Sequence, residues 1–128
     1  MRIEHFALNV ADPVHLVRWY VEHLGLRVVR ESSGSPWIHF LTDDGGQVMV
    51  EVYGNPDVAL PDYRQQDPLV MHLAYTSEDI QADLARLKGA GATQVGDVLQ
   101  TPAGDTLAML RDPWGVPIQL VRRAAPTI

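Results

Sequence analysis

The second half of this chain repeats the first. IEHFALNVADP from Ile3 aligns with MHLAYTSEDI from Met71, placing His5 on His72, Ala7 on Ala74 and Asp12 on Asp79, an offset of 67 residues (5 to 72). VMVEVY (48–53) aligns with VPIQLV (116–121) and places Glu51 on Gln119. Two long copies do not make a solenoid, which stacks several short units. They predict two similar half-domains packed as a pair. The duplicated positions carry two imidazoles, one carboxylate and one carboxamide, a donor set suited to a divalent cation.

The hydrophobic pattern fills in each copy. IEHFALNV (3–10) reads as a strand, and Asp12-Pro13 supplies an N-cap followed by proline at the first helical position. Over Val14–Leu24 the residues Leu16, Val17, Tyr20, Val21 and Leu24 share one face, with His15, Arg18 and Glu22 opposite. Gly25 ends the helix. LRVVRE (26–31), PWIHFLT (36–42) and QVMVEVY (47–53) read as strands, the last two joined by the turn Asp43-Asp44-Gly45-Gly46. In the second copy MHLAYT (71–76) is a strand and Ser77-Glu78-Asp79 caps a helix carrying Ile80, Leu84 and Leu87, stopped by Gly89 and Gly91. ATQVGDVLQ, DTLAMLR and VPIQLVRR follow as strands, with Asp112-Pro113-Trp114-Gly115 turning between the last two. The expectation is an α+β protein of two βαβββ modules, at about 1–54 and 69–125. The proline- and aspartate-rich segment at about 55–68 links them and borders the site.

Bulk properties narrow the function. A length of 128 residues fits one domain with a real core. The formal charge of −6 leaves no basic stripe for phosphates, which argues against a nucleic-acid partner. Apolar runs are strand-sized, so no membrane span is expected. With no cysteine, thiolate metal sites and a cysteine nucleophile are excluded. Met1–His5 runs into a strand pattern without a secretory leader, and a cytoplasmic protein is expected.

Alternation sorts the candidate residues. His5, Ala7 and Asn9 share one strand face, opposite Phe6, Leu8 and Val10, and His72 and Ala74 face away from Met71, Leu73 and Tyr75. A single histidine in an apolar strand is usually a hydrogen-bonded core residue. Two at equivalent points of a repeat, matched to an acid and an amide, point to ligands. Met49 and Tyr53 flank Glu51 on its own face and become substrate-wall candidates. His39 alternates with Trp37 and Leu41, which fits a pocket wall or plain packing. His15 and His23 fall on or near the outer helix face, and GAGA (89–92) follows a helix instead of opening one, so it is no phosphate loop.

A duplicated βαβββ module with a histidine at the start of each copy resembles the vicinal oxygen chelate superfamily, which includes glyoxalase I, fosfomycin-resistance enzymes, extradiol dioxygenases and bleomycin-resistance proteins. The resemblance rests on HFALNVADP with LGL, on HLAYTSEDI followed by LARLKGAGA, and on LRDPWGVPIQLV, and it covers essentially the whole chain. It implies an open half-barrel with flanking helices and a divalent metal (zinc, nickel, cobalt, manganese or iron) held by His5, Glu51, His72 and Gln119. Relatives build such a site within one chain or across a dimer, so a homodimer is implied as well. Most metal-binding relatives carry glutamate where this chain has Gln119. That departure counts against dioxygenase chemistry, whose facial triad needs a carboxylate there. The implied activity is that of a glyoxalase-like lyase or isomerase, with Glu51 as ligand and proton-shuttling base and Trp37, His39, Met49 and Tyr53 around the substrate. The other reading is a metal-free protein sequestering an aromatic or cationic compound, for which Trp37, Tyr53 and Trp114 are suited.

Overall fold

A computed structural model describes residues 1–127. The chain divides into two compact units, Met1–Pro61 and from Asp62 onward, and the division falls inside the linking segment. Each unit is one βαβββ module with an open four-stranded sheet, so the α+β class and the duplication are both realised.

The first unit runs β1 (His5–Asn9), α1 (Pro13–Leu24), β2 (Arg27–Glu31), β3 (His39–Thr42) and β4 (Met49–Tyr53), in sheet order β1-β4-β3-β2. Strand β1 is parallel to β4, and the other pairings are antiparallel. Asp12 caps α1 by accepting from the His15 N–H, and Gly25 closes it in the left-handed conformation at φ 72°. Helix α1 packs against β3 and β4. Leu16 and Tyr20 from the helix, with Leu41 and Val52 from the sheet, are fully buried. Truncating any of these leucines to alanine costs about 2–5 kcal/mol in a core of this kind.

The buried stripe of α1 is rotated from the one the pattern suggested. Trp19 is buried at 7% exposure, whereas Val21 remains 41% exposed. The indole packs against the rings of Tyr20 and His23, at 5.9 and 5.2 Å between centroids. An aromatic ring of that area outweighs a valine when one of the two must face outward. The third strand is also shorter than expected, starting at His39 instead of Pro36. Pro36 has no N–H to give a ladder, and Trp37 takes φ 57° in a turn closed by its N–H on the Gly34 carbonyl at 2.8 Å.

The second unit repeats the plan: β5 (Leu73–Thr76), α2 (Ile80–Gly89), β6 (Thr93–Gln100), β7 (Thr106–Arg111) and β8 (Pro117–Arg122), in order β5-β8-β7-β6. Asp79 caps α2 as Asp12 caps α1. Ile80, Leu84 and Leu87 line its buried side, and Ala108 and Leu110 of β7 with Pro117, Ile118, Leu120 and Val121 of β8 are buried as well. Among the described residues no helix is long and apolar enough to cross a membrane.

Candidate functional site

Strand register decides which side chains share a face. In the first unit Ala7 pairs with Glu51 and Glu51 with Phe40, so His5, Ala7, Met49, Glu51, Tyr53 and Phe40 occupy the face away from α1. On this face His5 Nε2 lies 3.3 Å from Glu51 Oε2. The Phe40 and His5 rings stand nearly perpendicular, 5.7 Å between centroids. Glu51 is the more enclosed partner, at 17% side-chain exposure against 37% for His5.

The other ring nitrogen, Nδ1, is bonded to the Glu4 carboxylate. That hydrogen bond raises the His5 pKa above the ordinary imidazole value; burial opposes the rise, and the charges of Glu4 and Glu51 add to it. A neutral ring donating from Nδ1 to Glu4 turns its Nε2 lone pair toward a carboxylate oxygen. Two lone pairs at 3.3 Å repel each other unless a cation, a proton or a metal ion, is shared between them. The His5–Glu51 pair is arranged around a positive charge.

The second unit repeats the register. Ala74 pairs with Gln119, and Gln119 with Met109, so Gln119 stands beside the residue two places after His72 as Glu51 stands beside the residue two places after His5. His72 lies one residue before β5 and donates from Nδ1 to the Pro68 carbonyl at 2.8 Å. A carbonyl only accepts, so Nδ1 carries a proton, and in the neutral ring Nε2 is the nitrogen with the lone pair. A cavity of about 550 Å³ adjoins Gln119's neighbour Ala74, and is lined also by Thr76, Val121, Arg123 and residues 124–127. Asp105 holds that terminal segment by accepting from Arg123 Nη1 at 2.7 Å and from the Ala124 N–H at 2.9 Å. The Ala124 hydrogen bond, then that of Arg123, lowers the Asp105 pKa, with desolvation opposing them.

Two expected pocket residues are placed elsewhere. His39 pairs with Val52, which puts it on the face packed against α1, buried at 7% exposure. Its Nδ1 donates to the Trp37 carbonyl at 2.7 Å, and its Nε2 is 3.7 Å from Glu31 Oε2. Trp37 sits in the β2–β3 turn, 44% exposed, off the sheet face that carries Glu51. The shortened β3 leaves Trp37 outside the strand, while His39 follows the strand alternation onto the face it shares with Leu41, opposite Phe40 and Glu51. Met49 and Tyr53 share the Glu51 face. Glu4 and Pro68 were not singled out in the sequence. A carboxylate directly before a candidate ligand was the only available signal for Glu4, and a backbone carbonyl leaves none. Among the described residues, no group of three or more histidine, aspartate or glutamate side chains is placed to hold a metal ion. Each unit offers one imidazole with one side-chain oxygen donor.

The profile of the Glyoxalase/Bleomycin resistance protein/Dioxygenase superfamily matches residues 2–120. The chain belongs to that superfamily. Biphenyl-2,3-diol 1,2-dioxygenase 3 of Rhodococcus globerulus is 33% identical over 76 residues, which are 59% of this chain and 37% of the dioxygenase. The chain thus matches well under half the length of that curated relative. Among solved structures of the same fold, TnmS3, an antibiotic binding protein from Streptomyces sp. CB03234, superimposes with a TM-score of 0.73 at 24% identity, over 97% of both chains. A glyoxalase I variant from Zea mays superimposes with a TM-score of 0.74 at 22% identity, over 97% of this chain and 46% of that one.

Proposed function

We propose that this superfamily member is a metal-dependent lyase or isomerase of the glyoxalase type, acting on a small substrate through two neighbouring oxygens. The ligands in this reading are His5, Glu51, His72 and Gln119. The observation that carries it is the approach of His5 Nε2 to Glu51 Oε2 at 3.3 Å on an open sheet face, echoed by the register of His72 and Gln119. The donor set suits zinc, nickel, cobalt, manganese or iron(II). When bound, such an ion supplies Lewis-acid stabilisation of an enediolate or similar oxyanion.

The side chains divide the remaining work. Glu51 is the base, taking a proton from the carbon next to the substrate carbonyl and returning it to the neighbouring position. Its partial burial and its imidazole neighbour keep that carboxylate ordered. His5 is oriented by Glu4 through Nδ1, and His72 by Pro68 through Nδ1, so both present Nε2. Met49 and Tyr53 form the walls beside Glu51. Gln119 puts an amide at the position where a dioxygenase facial triad carries its carboxylate, which counts against dioxygen chemistry and leaves Glu51 as the one carboxylate of the set.

The second reading, a protein that sequesters a small organic compound without metal, is favoured by the cavity of about 550 Å³ beside Ala74 and Val121, a size that suits a drug-like molecule. A cytoplasmic homodimer is the setting we propose for either reading, and light scattering at micromolar concentration tests the dimer.

Metal analysis of protein purified without chelator, followed by titration of the apo protein with zinc, nickel and manganese, decides between the two. A stoichiometric ion, with binding lost in both Glu51→Ala and His72→Ala, is the expected result. No affinity for any of the three ions, together with saturable binding of aromatic dyes, would replace the enzyme reading by sequestration.

A further inference from the structure

The second unit contains a cation that spends its donors on backbone. Arg111, the last residue of β7, donates from Nη1 to the Tyr63 carbonyl at 2.6 Å and to the Gly115 carbonyl at 3.2 Å, and from Nη2 to the Gln66 carbonyl at 2.7 Å. A planar guanidinium with five donors in a fixed fork can reach three carbonyls at once; an ammonium cannot do so with the same geometry. The carbonyls belong to two pieces of chain, residues 63–66 and the β7–β8 turn. Arg64 returns the contact, donating from Nη2 to the Pro113 carbonyl at 2.5 Å. Tyr63 is buried at 9% exposure, so the segment is anchored by its side chain as well.

The clamped segment leads straight to the histidine. Two residues beyond Gln66 is Pro68, whose carbonyl receives the Nδ1–H of His72. Arg111 pairs with Pro117 in the β7–β8 ladder, and the β5–β8 pairing opens with Leu73 on Ile118, the residues that follow His72 and Pro117. The arginine therefore stands on the Gln119 face of the sheet, and the Gln66 carbonyl it binds lies two residues before the Pro68 carbonyl that accepts from His72.

We infer that Arg111 is a positioning residue for His72: by fixing the 63–66 carbonyls it holds the Pro68 carbonyl where it selects the Nδ1–H tautomer and points Nε2 outward as a donor. The inference rests on the reading of His72 as a ligand for its use, but not for its mechanism, which is a property of the metal-free protein. Loosening an outer hydrogen bond to a ligating histidine weakens metal binding by about 10–100-fold in metal sites generally.

The experiment uses the full-length protein with Arg111→Gln and Arg111→Lys. Long-range proton–nitrogen correlation spectra of the imidazoles, taken in metal-free protein at about pH 8, where an ordinary imidazole is neutral, report each tautomer directly. His72→Gln assigns the His72 signals. The expected result is a single Nδ1–H tautomer for His72 in the parent, a mixture in Arg111→Gln, a smaller change in Arg111→Lys, and unaltered His5 signals throughout. Zinc affinity falls about tenfold or more in Arg111→Gln and less in Arg111→Lys. A lowered melting temperature with His72 still wholly in the Nδ1–H form in both variants would overturn the inference and leave Arg111 a structural clamp only. If Arg111→Gln does not fold, the lysine variant carries the same spectroscopic test. A parent protein that binds no zinc sinks the ligand reading, while the tautomer result still decides the role of Arg111.

Discussion

His5 Nε2 faces Glu51 Oε2 across 3.3 Å, with Glu4 on the opposite nitrogen of the ring. An imidazole flanked by two carboxylates is stable in company with a positive charge and frustrated without one. Replacing Glu51 by glutamine tests this directly, because the amide N–H can donate to the Nε2 lone pair it meets. Glu51→Gln is expected to keep the metal-free melting temperature at or slightly above that of the parent at alkaline pH, while metal affinity falls more than about tenfold because the proposed ligand set loses its one carboxylate. A calorimetric titration beside a thermal melt reads both. Falling stability with unchanged metal affinity would mean that the pair is a structural contact.

Gly115 tests the nesting of the β7–β8 turn against the 62–68 segment. It adopts φ 94°, and an added Cβ would run into the Arg64 side chain and lie 3.1 Å from its backbone nitrogen. Both the left-handed backbone and the collision oppose any side chain. Gly115→Ala is expected to cost about 1–3 kcal/mol or more by chemical denaturation. Gly89→Ala, at the end of α2 with open space around it, is the matched control and is expected to stabilise by about 0.5–1 kcal/mol.

The duplication was legible in the sequence because it is written in chemistry that acts locally. Asp12 and Asp79 cap their helices at equivalent places, Gly25 ends the first, and period-two alternation in 3–10 and 47–53 set the faces on which His5 and Glu51 meet. What escaped depends on contacts without a period. Trp19 displaces Val21 from the core by ring packing, Pro36 with Trp37 stops β3 short of residue 37, and only the pairing of His39 with Val52 decides for packing over a pocket wall at that imidazole. The acceptor for His72 is a backbone carbonyl, which has no sequence signature. The Asp105 contacts with Arg123 and Ala124 span some 18 residues and follow no helix or strand spacing.

Asp105 carries a pH prediction. Its hydrogen bonds from the Ala124 N–H and Arg123 favour the ionised form, so its folded pKa lies below the ordinary 3.8 of a free aspartate. Stability from this group is therefore fully present above that ordinary value and is lost as pH falls through the lower, folded one. Asp105→Asn is expected to lower the melting temperature at neutral pH, and the gap to the parent should close as the pH drops below about 4. Proteolysis of residues 123–127 should quicken in the variant at neutral pH, since those two bonds hold the segment. A gap that stays constant down to about pH 2 would assign the effect to something other than the carboxylate charge.

Gln119 tests how far the proposed metal reading reaches. Its pairing with Ala74 and Met109 sets it beside the residue two places after His72, as Glu51 stands beside the residue two places after His5. An amide oxygen ligates more weakly than a carboxylate and leaves the ion one unit more positive, hence a stronger Lewis acid. Gln119→Glu is expected to tighten zinc, nickel and manganese binding, and Gln119→Ala to weaken it. His72→Ala should weaken it much further, because an imidazole is lost and nothing replaces it. If turnover of an α-keto or thiol-adduct substrate is found, Gln119→Glu should also slow it despite the tighter metal, since the added charge blunts the ion's pull on the substrate oxygens. Titration of the three variants separates ligation from proximity. Equal affinities in both Gln119 variants, alongside a loss in His72→Ala, would remove Gln119 from the ligand set and leave His5, Glu51 and His72, with one more position open to substrate.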